Sequence, residues 1–167
     1  MTRDALLRRV RLLLALVGSG LVVSGLTAVP IESELRWITS ALGAAPGQGP
    51  EQFAGLLRWL VTVRDAVMDT NARYPFLAYG TDWLAFGHLV IAVAFFGALR
   101  DPVRNAWIVD FGLIGCAGVL MLALFWGGFR GIPLWWRLID CSFGVGCAIP
   151  LLLARRDLRR LEALGAV

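Results

Sequence analysis

The chain has 167 residues, 58% hydrophobic and 17% charged, with a mean hydropathy of +0.71. Soluble domains average about 45–50% apolar and 25% charged residues, so this composition excludes an ordinary water-soluble domain and points to the bilayer. The formal charge of +4 comes from sixteen arginines and no lysine against twelve acids. Its spread along the chain is that of a topology signal, which excludes the basic face on a soluble domain that nucleic acid would need.

A membrane span needs about 20 mostly apolar residues. The first is "LLLALVGSGLVVSGLTAVPI", residues 12–31, uncharged throughout and preceded by Arg3, Arg8, Arg9 and Arg11. It is longer than the ~7–15-residue core of a signal peptide, and "LTAVPIES" makes a poor cleavage site. A retained helix is expected.

Residues 32–81 form a polar segment before the next span. "GAAPGQGP" at 43–50 reads as a loop. The stretch "EQFAGLLRWLVTVRDAVMDT" then places Phe53, Leu56, Leu57, Leu60, Val63 and Val67 on one helical side, with Arg58, Thr62, Asp65 and Asp69 on another. Its charges make it a poor span, so it is expected to lie at the membrane interface, to cap the bundle or to dock a partner. In "NARYPFLAYGTDW", Tyr74, Phe76, Tyr79 and Trp83 collect as an interfacial aromatic belt would, and Thr81 or Asp82 is placed to cap the helix that follows.

The remaining spans are about 83–99, 106–129 and 132–154. Ten arginines lie in the N-terminal arm, the turn "RDPVRN" and the tail "RRDLRR", whereas the segment between the first two spans, through Asp82, holds four arginines against six acids. Arginine bias therefore predicts cytoplasmic termini, with 32–81 and 127–133 outside. Small residues four apart (Gly20 and Ser24, Ala94 and Ala98, Gly144 and Ala148) suit close helix packing. Cys116, Cys141 and Cys147 fall in apolar runs without metal or redox spacing, and are expected to be inert.

Four ionisable residues lie at membrane depth: His88, Asp110, Arg137 and Asp140. Such groups usually face the bundle interior and pair. Asp110 sits near the cytoplasmic end of its span, where Arg104 is the expected partner, with Arg100 and Arg155 at the same level. At 1.5 Å per residue, His88 and Asp140 lie roughly 10–12 Å below the outer surface, with Arg137 about one turn above. If the two helix faces meet, these three form one buried cluster rimmed by Trp135 and Trp136. Two readings stand. One is a charge-compensated network in which Arg137 and Asp140 pair at i,i+3. The other is a polar pocket in which Asp140 and His88 exchange protons or bind a polar ligand and Arg137 holds an anionic group.

The blocks "YPFLAYGTDWLAFGHLVIA", "LRDPVRNAW" and "RGIPLWWRLIDCSFG" resemble a family of small bacterial four-span inner-membrane proteins. The resemblance covers about residues 74–160 and implies membrane placement and topology. It brings no catalytic residue with it.

No phosphate-binding Gly loop, HExxH or GxSxG motif occurs, and His88 alone does not supply a two-histidine haem site. Asp110 and Asp140 belong near opposite membrane faces and make no carboxylate dyad. Four short spans without an inverted repeat argue against an autonomous secondary transporter. The expectation is an all-α integral membrane four-helix bundle with an additional amphipathic helix on its outer side, forming one membrane domain over residues 1–167 of a bacterial inner-membrane protein. No catalytic residue, metal or cofactor is expected. Membrane lipids and a protein partner or second copy are the expected contacts, and the function is that of a non-enzymatic accessory or assembly subunit. The alternative is a small proton, ion or ligand conduit built on His88, Arg137 and Asp140.

Overall fold

A computed structural model describes residues 2–165. The described chain is all-α. It contains α1 (Arg3–Ala28), α2 (Ile31–Ala41), α3 (Gly55–Arg73), α4 (Tyr79–Ala98), α5 (Trp107–Phe129) and α6 (Leu134–Gly165). Short 3₁₀ turns at Pro50–Gln52 and Pro75–Ala78 precede α3 and α4. Four helices are long and apolar enough to cross a membrane: Arg3–Ala28, Pro75–Ala98, Trp107–Phe129 and Leu134–Leu164. Each carries apolar side chains on its exposed side as well as its buried one. Leu12, Ile114, Met121 and Phe143 are all at least 65% exposed. Surfaces of that kind are stable against lipid and not against water.

The helix ends follow local chemistry more closely than hydropathy. α1 stops at Ala28 rather than running to Ile31, because Pro30 has no N–H and drives the residue before it out of the helical region. The chain restarts at once as α2, which the sequence reading did not separate, with Glu34 N–H bonding the Pro30 carbonyl. α2 ends in a Schellman turn. Gly43 takes φ +95°, its N–H bonds Ser40 O, and Ala44 N–H bonds Thr39 O. α5 ends the same way at Gly131 (φ +71°), with Gly131 N–H to Gly128 O and Ile132 N–H to Gly127 O. The loop expected at residues 43–50 lies between α2 and the first 3₁₀ turn.

α6 extends well past the expected end at Ala154. Leu151, Ala154, Leu158 and Leu161 are buried at spacings of three, four and three, so an apolar stripe runs on through the arginine-rich tail. Its 32 residues make a rod of about 48 Å, longer than the ~30 Å hydrocarbon core. α4 begins earlier than expected, at Tyr79, so Thr81 and Asp82 sit inside its first turn instead of capping it. Asp82 there meets the positive end of the helix dipole.

The chain divides into two compact units. The first comprises residues 1–20 and 91–167 and so takes segments of all four long helices. Its interior is Leu6, Val10 and Leu14 from α1, Phe95 from α4, Ile108 and Val109 from α5, and the α6 stripe. Two glycines allow close approach here. A Cβ on Gly144 would lie 3.0 Å from the Cys116 carbonyl, and one on Gly112 would lie 2.8 Å from both Phe95 and Leu151 side-chain carbons. The second unit comprises residues 21–90. In it α2 and α3 form a helical hairpin around Leu35, Thr39, Leu60, Val61 and Arg64. Gly25 of α1 packs on α4, where a Cβ would come within 3.0 Å of the Ala85 carbonyl. Gly20, expected at a close helix approach, faces open space.

Candidate functional site

Arg137 is positioned by the start of α6. Its Nη1 donates to the Leu124 carbonyl at 2.9 Å, bridging α6 to α5. Residues Leu122–Trp126 are a π-helical segment of α5, a wide turn of the kind that recurs at functional positions. Gly127 and Gly128 make room for the arginine. A Cβ on the former would lie 2.8 Å from Arg137 Cδ, and one on the latter 3.1 Å from Nη1. Arg137 Nε is buried with no hydrogen-bond partner among the described residues.

The i,i+3 ion pair expected between Arg137 and Asp140 is not formed. None of the ion pairs among the described residues joins them. A carbonyl in the widened turn competes for the guanidinium, and backbone groups far from water must be satisfied within the protein. Asp140 is left half-buried, lining a cavity of about 430 Å³ with Val119, Leu122, Trp126, Arg130 and Ile132. His88 belongs to the second unit. Its Nδ1 meets the Leu84 carbonyl of its own helix at 2.8 Å, a contact that puts the ring proton on Nδ1.

Asp110 pairs with Arg155 Nε at 3.0 Å, in place of the expected Arg104. Arg104 instead gives its backbone N–H to the Asp101 carboxylate (3.1 Å) within the turn between α4 and α5. A neighbouring network escaped the sequence reading altogether. Asp157 is 1% exposed and is held between Arg9 Nε (3.4 Å) and Arg160 Nη1 (3.7 Å). Arg9 and Asp157 are too far apart in the chain for any local pattern to couple them.

In the second unit, Arg64 was also missed. The sequence assigned it to neither face of α3, yet it is 6% exposed and points at α2. Nε and Nη2 both reach Asp65 Oδ1 (2.8 and 2.7 Å), Nη2 also donates to Gln48 O (2.9 Å), and Nη1 lies 3.4 Å from Thr39 Oγ1. One guanidinium thus ties the hairpin to its loop. The buried side of α3 is rotated accordingly: Leu60, Val61 and Arg64 face inward while Leu56 is exposed.

The aromatic residues form edge-to-face chains. Tyr74 meets Phe76, Tyr79 meets Trp83 and Trp83 meets Phe86 at ring-centre distances of 5.8–6.2 Å, and the four predicted belt residues are exposed. In the first unit Trp135 and Trp136 stack edge-on at 5.8 Å, and Phe125, Trp126 and Phe129 add a cluster that the sequence reading did not single out. The three cysteines are free, and among the described residues no three His, Cys, Asp or Glu side chains gather as a metal site.

The second unit also holds a groove of about 660 Å³ between the start of α2, one side of α3 and the approach to α4. Its apolar walls include Pro30, Ile31, Val63, Val67 and Leu77, and its polar lining includes Glu32 and Asn71, hydrogen-bonded to one another at 2.9 Å. No family model, curated protein or solved structure matches the chain.

Proposed function

We propose that this multi-pass membrane protein is a non-enzymatic accessory or assembly subunit of a larger complex in the bacterial inner membrane, with its termini cytoplasmic. The observation that carries the reading is the groove of the second unit. It is open and mainly apolar, and most of its lining comes from the amphipathic helices α2 and α3, with Leu77 and Ala78 added from the start of a span. A groove walled by Ile31, Val63 and Val67 suits the apolar side of a partner helix, and its Glu32–Asn71 pair offers polar atoms to fix register. The test is purification from native membranes in mild detergent with quantitation of every co-purifying protein. One partner at near-equal amount, lost in Val63→Glu but retained in Leu12→Ala, is the expected result. A chain recovered alone, or only with itself, sinks the accessory role.

A second reading rests on the cavity beside Asp140. A carboxylate, Arg130 and Trp126 line one space there, and a conduit or ligand site would use Asp140 with Arg137 of the same helix. It requires transport or ligand binding by the purified chain alone in liposomes, abolished by Asp140→Asn with insertion unchanged. Full activity of Asp140→Asn would discard it.

A further inference from the structure

At the end of the first unit where α1 begins and α4 ends, a cavity of about 570 Å³ is lined by Arg3, Arg11, Arg100 and Arg104, with Leu7 and Leu161 among its apolar walls. Arg11 is committed to the α4 terminus: Nε donates to Leu99 O at 3.0 Å and Nη2 to Arg100 O at 3.5 Å. The other three arginines have no acid within ion-pair distance among the described residues. Asp101 and Glu162 share the lining, and the Asp101 carboxylate accepts the Arg104 backbone N–H. Guanidinium groups converging on one space repel each other unless an anion is shared between them, and their planar forks match phosphate oxygens.

This cavity adjoins a second one. A space of about 510 Å³ shares Leu7 and Arg11 with it and is lined further by Leu12, Ala15 and Leu99, with Asp4 and Arg8 at its charged side. A cationic cavity beside an apolar channel has the layout of a headgroup site with an acyl track.

We propose that the first unit binds an anionic phospholipid, its phosphate held by Arg3, Arg100 and Arg104 and one acyl chain lying along Leu7, Leu12, Ala15 and Leu99. Free phosphate would meet the arginines but leave the apolar channel unused, so the lipid is the occupant. The inference requires that the long helices cross a bilayer, and it stands whether or not the chain has a protein partner.

The test is native mass spectrometry of the delipidated full-length protein in detergent, offered equal amounts of phosphatidylglycerol and phosphatidylcholine. Wild type is expected to retain phosphatidylglycerol selectively. Arg100→Gln with Arg104→Gln should lower that retention roughly tenfold, and Arg104→Gln alone should lower it several-fold if the double variant folds poorly. The control, Arg156→Gln with Arg159→Gln, removes the same charge outside both cavities and should change little. Equal loss in both double variants would reduce the effect to surface charge and overturn the proposal. So would equal retention of the two lipids. Inorganic phosphate displacing the lipid at millimolar concentration would overturn the acyl track, leaving an anion site only.

Discussion

The two units of this protein answer a buried charge in different ways: the first buries an acid, Asp157, and the second an arginine, Arg64. In the first, the buried Asp157 carboxylate is answered by charge, from Arg9 on another helix and Arg160 on its own, and Asp110 meets Arg155. In the second, Arg64 joins a carboxylate next door in sequence, Asp65, to two neutral acceptors, the Gln48 carbonyl and the Thr39 hydroxyl. The difference follows from what each unit is built from. Long apolar helices have few free backbone groups, so an ion there pairs with another ion or, like Arg137, reaches a carbonyl in a widened turn. A hairpin with a Gly/Pro loop exposes unpaired carbonyls, and one guanidinium with five donors can collect them.

Three substitutions probe that contrast. Arg9→Ala leaves the buried Asp157 carboxylate with only Arg160 at 3.7 Å, and should cost about 3 kcal/mol, the lower end for breaking a buried ion pair because Arg9 is itself partly exposed. Equilibrium unfolding in detergent measures it, and a cost below about 1 kcal/mol would place the pair with surface ion pairs instead. Arg64→Ala should cost about 2 kcal/mol through a stranded carbonyl and a lost clamp. Hydrogen exchange should then speed up in α2, α3 and the loop between them while the first unit keeps its protection, and loss of protection in both would mean that the units unfold together. Gly127→Ala should cost about 1 kcal/mol by forcing Arg137 off its carbonyl. The same change in an Arg137→Ala background should cost nearly nothing, and a full penalty there would show that the glycine serves the backbone and not the arginine.

Arg137 also marks the limit of what spacing conveys. The sequence places it in an apolar helix, three residues from Asp140 and within reach of pairing with it. What it bonds was decided by a π segment that no residue pattern announced, and by two glycines whose missing side chains admit the guanidinium. His88 likewise meets the carbonyl of Leu84 four residues back, a bond its own helix supplies.

The amino-acid sequence alone determined the all-α class, the four apolar helices, the loop at residues 43–50 and the amphipathic character of α3. Each is written in a contiguous run, where hydropathy, a 3.6-residue period or a Gly/Pro cluster acts over a few turns. Pro30 belongs with these in principle, since its missing N–H acts locally, yet it was hidden inside an uninterrupted apolar run. Tertiary structure alone decided the partners: Arg155 rather than Arg104 for Asp110, Arg9 for Asp157, and the side of α3 that turns inward around Arg64. An ion pair forms between whichever charges packing brings within about 4 Å, and that distance depends on helix rotation and length, neither of which is carried by the residues near either charge.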